Sequence, residues 1–232
     1  MSPTTAPDAV WTWTDGRPYA PGADEGPVCP PGADGGPAHS PGADGGRFVV
    51  TAEAGTDLYR MPGVREIDRL PSLGREVTGD FSLSVRAEVH DTDGGRFADA
   101  AGLVLHTDDG WAKFCVERAP SGSWSLVTVV SQPWSDEASG PALDGPCAEL
   151  TVVREGRRLA FLYGPGPDAG PDAGSEAGSE AGSEAAPRFV RTFTVPDTAL
   201  RVGLFAQAPF SPSCTAVFDR LHHDPEPLRD RR

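Results

Sequence analysis

The sequence predicts an all-β fold, two antiparallel sheets packed face to face. Three observations carry this. Phe81, Leu83, Val85, Ala87 and Val89 alternate with Ser82, Ser84, Arg86 and Glu88, the period of a half-buried strand. Short segments rich in Val, Leu, Phe and Trp recur along the chain, separated by Gly, Pro or Asp. No window holds a helical period over three turns. Many short strands without helices close into a sandwich or a barrel.

Taken in order, Val10–Trp13 is a short β-like start. Strands are then expected at 47–53, 81–89, 101–106, 111–118, 124–131, 148–154, 158–163, 188–194, 200–207 and 214–221. Asp108, Asp109 and Gly110 form a turn signal, as do Glu155 and Gly156. Two segments interrupt this pattern. Pro-Gly-Ala-Asp recurs at 21, 31 and 41, Pro-Asp-Ala-Gly at 167 and 171, and Gly-Ser-Glu-Ala at 174, 178 and 182. These repeats have no hydrophobic face with which to offset chain entropy, so they are expected to be disordered loop expansions. The expectation is one sandwich domain over 1–232, with low-complexity inserts at about 20–46 and 164–187 and a short polar tail at 225–232. Lengthening a loop is tolerable, because each doubling costs only about 0.6 kcal/mol.

The formal net charge is −14. Asp24, Glu25, Asp34 and Asp44 in the first insert and Asp168, Asp172, Glu176, Glu180 and Glu184 in the second supply nine of these charges, with no Lys or Arg between them. Nucleic acid is therefore an unsuitable partner, since phosphate contacts need a basic face. No stretch reaches the roughly 18 apolar residues of a membrane span, and Met1–Pro7 has neither a basic start nor an apolar run. A cytoplasmic protein without membrane contact is expected. Cys29, Cys115, Cys147 and Cys214 are widely spaced, which in that compartment points to reduced thiols. No C-x-x-C pair and no ligand spacing among His39, His90, His106, His222 and His223 supports a metal. Asp91, Thr92, Asp93 and Gly94 open like a calcium loop, but Gly102 stands where a bidentate Glu is needed. No cofactor is implied.

A collinear set of short motifs resembles domain-of-unknown-function family 1349. The set comprises Trp11-x-Trp13, Thr56-Asp57-Leu58-Tyr59-Arg60, Gly79-Asp80-Phe81, Ala101-Gly102-Leu103, Trp111 through Glu117, Ser135-Asp136, Val202-Gly203-Leu204 and Ala206-Gln207-x-Pro209. The resemblance covers the chain outside the two inserts. It implies a concanavalin A-like jelly-roll sandwich of the lectin/glucanase superfamily, and the family includes a yeast protein of the regulator-of-enolase type. Tyr59 stands where the family usually has Trp. Thr14-Asp15-Gly16 replaces an Asn-Glu-Pro-like turn, and the second insert replaces a tight hairpin after Tyr163.

Chemistry concentrates on the strand 111–118. At a period of two, Trp111, Lys113, Cys115 and Glu117 share one face, and Ala112, Phe114 and Val116 face the core. The chain holds 19 arginines and a single lysine, Lys113. An aromatic ring, a cation and a carboxylate on one face suit a polar, ring-shaped ligand. The plain alternative is a Lys113–Glu117 surface pair worth about 0–1 kcal/mol. Asp57 and Arg60 either join this site as a ligand fork or form an ion pair that pins their loop. Asp136, with Ser135 and Glu137, is expected in a loop after a strand, as a binding residue or a solvated turn. Gln207 ends a strand and needs a partner in protein or ligand. His106 is read first as a satisfied sheet histidine and second as a ligand contact.

The chain lacks the Glu-x-Asp-x-x-Glu strand of the superfamily's retaining glucanases, and it lacks a nucleophile elbow, a phosphate loop and a dinucleotide fingerprint. The sequence therefore points to a non-catalytic module binding a small carbohydrate or sugar-derived metabolite on the concave sheet face. Two alternatives stand beside it. One is a carbohydrate-active enzyme using Glu117 with Asp57 or Asp136 as its second carboxyl. The other is a regulatory protein whose partner is a metabolic enzyme, as the name of the yeast relative suggests.

Overall fold

A computed structural model describes residues 11–16, 46–90, 94–164 and 187–228. The expected inserts and the end of the expected tail fall largely outside these residues. Fifteen strands follow one another: β1 (Thr12–Trp13), β2 (Phe48–Glu53), β3 (Asp57–Met61), β4 (Arg65–Arg69), β5 (Ser72–Val77), β6 (Phe81–His90), β7 (Ala100–Thr107), β8 (Gly110–Arg118), β9 (Trp124–Ser131), β10 (Ser135–Leu143), β11 (Cys147–Glu155), β12 (Arg158–Gly164), β13 (Arg188–Thr194), β14 (Leu200–Gln207) and β15 (Ser213–Asp224). A seven-stranded sheet runs β1-β5-β14-β7-β8-β9-β10, and a six-stranded sheet runs β13-β12-β11-β6-β15-β2. The strands β3 and β4 pair only with each other. Within these sheets every pairing is antiparallel. No helix of the described residues is long and apolar enough to cross a membrane.

The two large sheets bury one face each against the other. From the six-stranded sheet come Phe81, Leu83, Val85, Leu150, Val152 and Phe161; from the seven-stranded sheet come Leu103, Leu105, Phe114, Val116, Val202 and Leu204. Phe114 and Phe161 stack across the gap with centroids 4.8 Å apart. Each such side chain stabilises the fold by about 1.5–3 kcal/mol relative to exposure. Both expected turns form: Thr107 pairs with Gly110 across Asp108 and Asp109, and Glu155 pairs with Arg158 across Gly156 and Arg157. Gly156 adopts φ 55°, a conformation that favours glycine.

Two segments depart from expectation. Ser135, Asp136 and Glu137, expected in a loop after a strand, open the edge strand β10 (Ser135–Leu143), paired with β9 and bulged between Ser139 and Ala142, where Gly140 and Pro141 fall. The stretch 57–77, with no strand expected beyond the Thr56–Arg60 motif, holds β3, β4 and β5. The start of the expected tail is tied down: Ser82 Oγ donates to the Glu226 carbonyl at 3.1 Å and accepts from the Leu228 amide at 2.7 Å.

The β3–β4 hairpin matters most for function. It lies on the outer face of the seven-stranded sheet. Leu58 and the following Leu70 form a second apolar cluster there with Val104, Trp111, Cys115, Val127, Val129 and Phe205. At the far side the Arg60 amide donates to Ser135 Oγ at 2.8 Å. This face is therefore covered over its centre, and the hairpin acts as a partial third layer.

Candidate functional site

The register of β8 places Trp111, Lys113, Cys115 and Glu117 on the outer face, as the period of two requires. Their neighbours across β7 are His106, Val104, Gly102 and Ala100. Gly102 faces Cys115 so closely that a Cβ there would lie 2.5 Å from the Cys115 Cβ, so only glycine fits.

Lys113 is 2% exposed. Its Nζ donates to Asp57 Oδ1 at 2.7 Å and to Gln207 Oε1 at 2.9 Å. The rings of Trp111 and Phe205 lie 5.9 Å away, within cation–π range. Asp57 Oδ1 also accepts from the Leu58 amide at 2.7 Å. A buried ammonium needs this compensation, since desolvating an unpaired charge costs several kcal/mol. The Gln207 amide turns its other end to the Ala98 carbonyl at 2.9 Å and to Glu117 Oε2 at 3.4 Å. Asp57, Lys113, Gln207 and Glu117 thus form one polar chain between the hairpin and the sheet. Glu117, itself 7% exposed, ends that chain. Burial raises its pKa to about 7; Lys113 opposes the shift, and Glu137, Asp57 and Asp99 reinforce it.

The surroundings come from two turns and the hairpin. Phe97 and Phe210 stack with centroids 5.8 Å apart, and each is 44% exposed. Phe97 adjoins Ala98, the acceptor for Gln207, and Phe210 follows Gln207 by three residues. The Arg65 guanidinium sits 4.6 Å over the Phe210 ring, with Nε 3.9 Å from Asp57 Oδ2. Beside Phe97, Asp99 Oδ2 accepts from Ser211 Oγ at 2.6 Å and from the Arg96 amide at 2.8 Å. On β10, Glu137 lies near Tyr59; burial, followed by the charge of Glu137, raises the Tyr59 pKa.

The sequence candidates divide accordingly. Asp57, Lys113, Gln207 and Glu117 come together. Trp111 lies on the same face but is 7% exposed beneath the hairpin, so its ring presents no open platform. The alternative of a Lys113–Glu117 surface pair is corrected: Lys113 is buried and bonded to Asp57 and Gln207. Arg60 lies apart from the polar chain, 3.8 Å from Asp68. Asp136 points away from the outer face and pairs with Arg191 at 2.7 Å, bridging the edges of the two sheets. His106 is not a satisfied histidine, because its buried Nε2 has no hydrogen-bond partner. Burial and Arg201 lower its pKa. Asp91–Asp93 of the calcium-like motif lie outside the described residues.

Sequence reasoning does not single out Arg65, Phe97 or Phe210, and it names Glu137 only beside Ser135 and Asp136. The one signal for Phe97 and Phe210 is an aromatic set in a Gly- or Ser-rich turn. Glu137 needs the register of β10, which sends Glu137 and Asp136 to opposite faces.

A depression of about 680 Å³ lies elsewhere, lined by Gln132, Arg158, Thr192, Phe193 and Thr194. Its amide and guanidinium are already engaged, with the Thr194 carbonyl at 2.9 Å and Thr192 Oγ1 at 3.4 Å. It brings no carboxyl to a ligand.

Two large antiparallel sheets, an outer face carrying a polar chain and turns clustered at its end define a concanavalin A-like sandwich. The chain belongs to the DUF1349 family, described as proteins of unknown function, whose model matches residues 36–226. A functionally unknown protein from Saccharomyces cerevisiae shares the fold, with a TM-score of 0.64 and 20% identity over 79% of this chain and 89% of that one. A xylan β-1,4-xylosidase from Bacillus halodurans C-125 superposes with a TM-score of 0.51 and 15% identity over 78% of this chain, which spans only 32% of the xylosidase. No curated protein matches the sequence.

Proposed function

We propose that the protein is a non-catalytic binding module for a sugar or sugar-derived metabolite, held where the outer face of the seven-stranded sheet meets the Phe97 and Phe210 turns. One observation carries the reading: an exposed, stacked aromatic pair adjoins a buried polar chain, through Arg65, which lies over Phe210 and beside Asp57, and through Ala98, whose carbonyl accepts from Gln207. Aromatic faces pack on the apolar faces of pyranose rings. The Arg65 guanidinium, one-third exposed, offers hydrogen bonds to hydroxyls. Binding sites commonly combine an apolar wall with a few convergent polar groups. The xylosidase named above acts on a saccharide and shares the fold, which makes saccharides the first ligands to screen.

A thermal-shift and glycan-array screen tests this. The expected result is stabilisation by at least one saccharide at millimolar concentration, lost in a Phe97→Ala/Phe210→Ala double variant that still unfolds cooperatively. No ligand at millimolar concentration overturns the reading.

The Glu117 pKa of about 7 favours a second reading, glycoside cleavage with Glu117 as general acid. That reaction needs a second carboxyl flanking the bond. Asp57 is committed to Lys113, and Glu137 lies near Tyr59, whose pKa its charge raises. Aryl-glycoside hydrolysis that vanishes in Glu117→Gln would establish the enzyme; none across a panel of sugars would remove it.

A further inference from the structure

We propose that the ligand of this site is an anionic sugar, whose carboxylate or phosphate is gripped by Arg65 while its ring packs against Phe97 and Phe210. The inference rests on the binding reading above and specifies its ligand class. Its basis is which charged groups of the site are already satisfied. Lys113 is consumed by Asp57 and Gln207. Asp99 accepts from Ser211 and the Arg96 amide through Oδ2, and its buried Oδ1, a carboxylate oxygen, offers an anion nothing. Glu137 lies near Tyr59, whose pKa its charge raises. Arg60 and Asp68 lie near each other on the face of the hairpin that also carries Glu66.

Arg65 differs from all of these. Its guanidinium donates no hydrogen bond among the described residues. The 3.9 Å to Asp57 Oδ2 is an ion contact and too long for a hydrogen bond. The side chain is one-third exposed, and its guanidinium carbon lies 4.6 Å from the centre of the Phe210 ring. A planar fork with unused N–H groups matches a carboxylate or a phosphate in two parallel bonds. A hydroxyl uses only part of that capacity. The negative charge of Asp57 does not cancel this, because Lys113 already balances it at 2.7 Å. Glu117, half protonated near pH 7, repels an anion less than an ordinary glutamate would.

Matched ligands separate the terms. Calorimetric titration would compare methyl β-D-glucuronide with methyl β-D-glucoside, which differ only at C6, and would add glucose 6-phosphate as the phosphate arm. The expected result is at least ten-fold tighter binding of the glucuronide or the phosphate sugar than of the glucoside. The tighter of the two identifies the anion. Arg65→Met is expected to bring the ratio close to one, and Arg65→Lys, which keeps the charge without the fork, to leave an intermediate ratio. Equal binding of all three sugars, or a preference unmoved in both variants, overturns the anionic assignment and leaves the sugar site standing. Absence of binding by all three sugars, together with an empty glycan screen, overturns both.

Discussion

At the scale of single residues, composition and three-dimensional pairing carry different information. A lone lysine among 19 arginines singles out Lys113 on composition alone, and the period of two puts Glu117 on the same face. Their partners are not legible in the sequence, because Asp57 and Gln207 lie 56 and 94 residues from Lys113 in the chain. Arg154 shows the same limit. It sits at an inward position, fully buried, and spends its donors on the Gly156 and Thr198 carbonyls and on Asp197. No local pattern announces a satisfied charge. Two expectations follow at this scale. Lys113→Met leaves the Asp57 carboxylate buried without its counter-charge and should destabilise by about 3–5 kcal/mol in urea unfolding. Adding Asp57→Leu should recover most of that loss, since removing both ions removes the desolvation cost. Glu117 sets a pH dependence. Its folded pKa of about 7 lies above the usual value of 4.5, so the native state holds the proton more tightly than the unfolded chain does. This contribution to stability is full below about pH 4.5 and is lost as pH rises through 7. Glu117→Gln should flatten that slope between pH 5 and 8 and raise stability at pH 8, measured by unfolding across the range.

At the scale of elements, strands that bury one apolar face are readable and strands that do not are hidden. β6, β7, β8 and β14 alternate or run apolar, and their expected ranges end within a residue or two of the observed ones. β10 is polar along both faces and contains Gly140 and Pro141, so its signal is that of a loop; its conformation comes from pairing with β9. The β3–β4 hairpin reads as polar for the same reason, and it buries one apolar side chain of its own, Leu58; its other ties are polar or at the surface: the Asp57–Lys113 pair, the Arg60–Ser135 bond, Arg65 over Phe210 and Arg69 with Glu53 and Ala54. Small elements with few buried apolar contacts open at low free energy. Amides of 58–68 should therefore exchange with solvent faster than those of β7 and β8, measured by hydrogen exchange. In Lys113→Met the hairpin amides should lose protection first. Equal protection of hairpin and sheet would show that the hairpin opens only with the whole fold.

At the scale of the molecule, the sandwich is legible because its two faces impose alternation on most strands, and the family resemblance is carried by motifs spread over those strands. The third layer is not, since nothing local says that a polar hairpin folds back onto an outer face. The second low-complexity segment connects β12 to β13 along the chain. Tyr163 pairs with Arg188, so residues 165–186 join two paired strand ends. Replacing them with a short turn should keep a single cooperative unfolding transition and add about 1–2 kcal/mol, from the smaller closure entropy. Loss of cooperativity would show that the segment contributes to the core.

The burial of Lys113 also has a chemical consequence. It is the one ε-amine of the chain, and both its salt bridge and its cover come from the hairpin. Acylating reagents therefore find no lysine on the native surface, whose cations are arginines. The rate at which Lys113 is acylated becomes a clock for hairpin opening, read at one atom by mass spectrometry without any engineered probe.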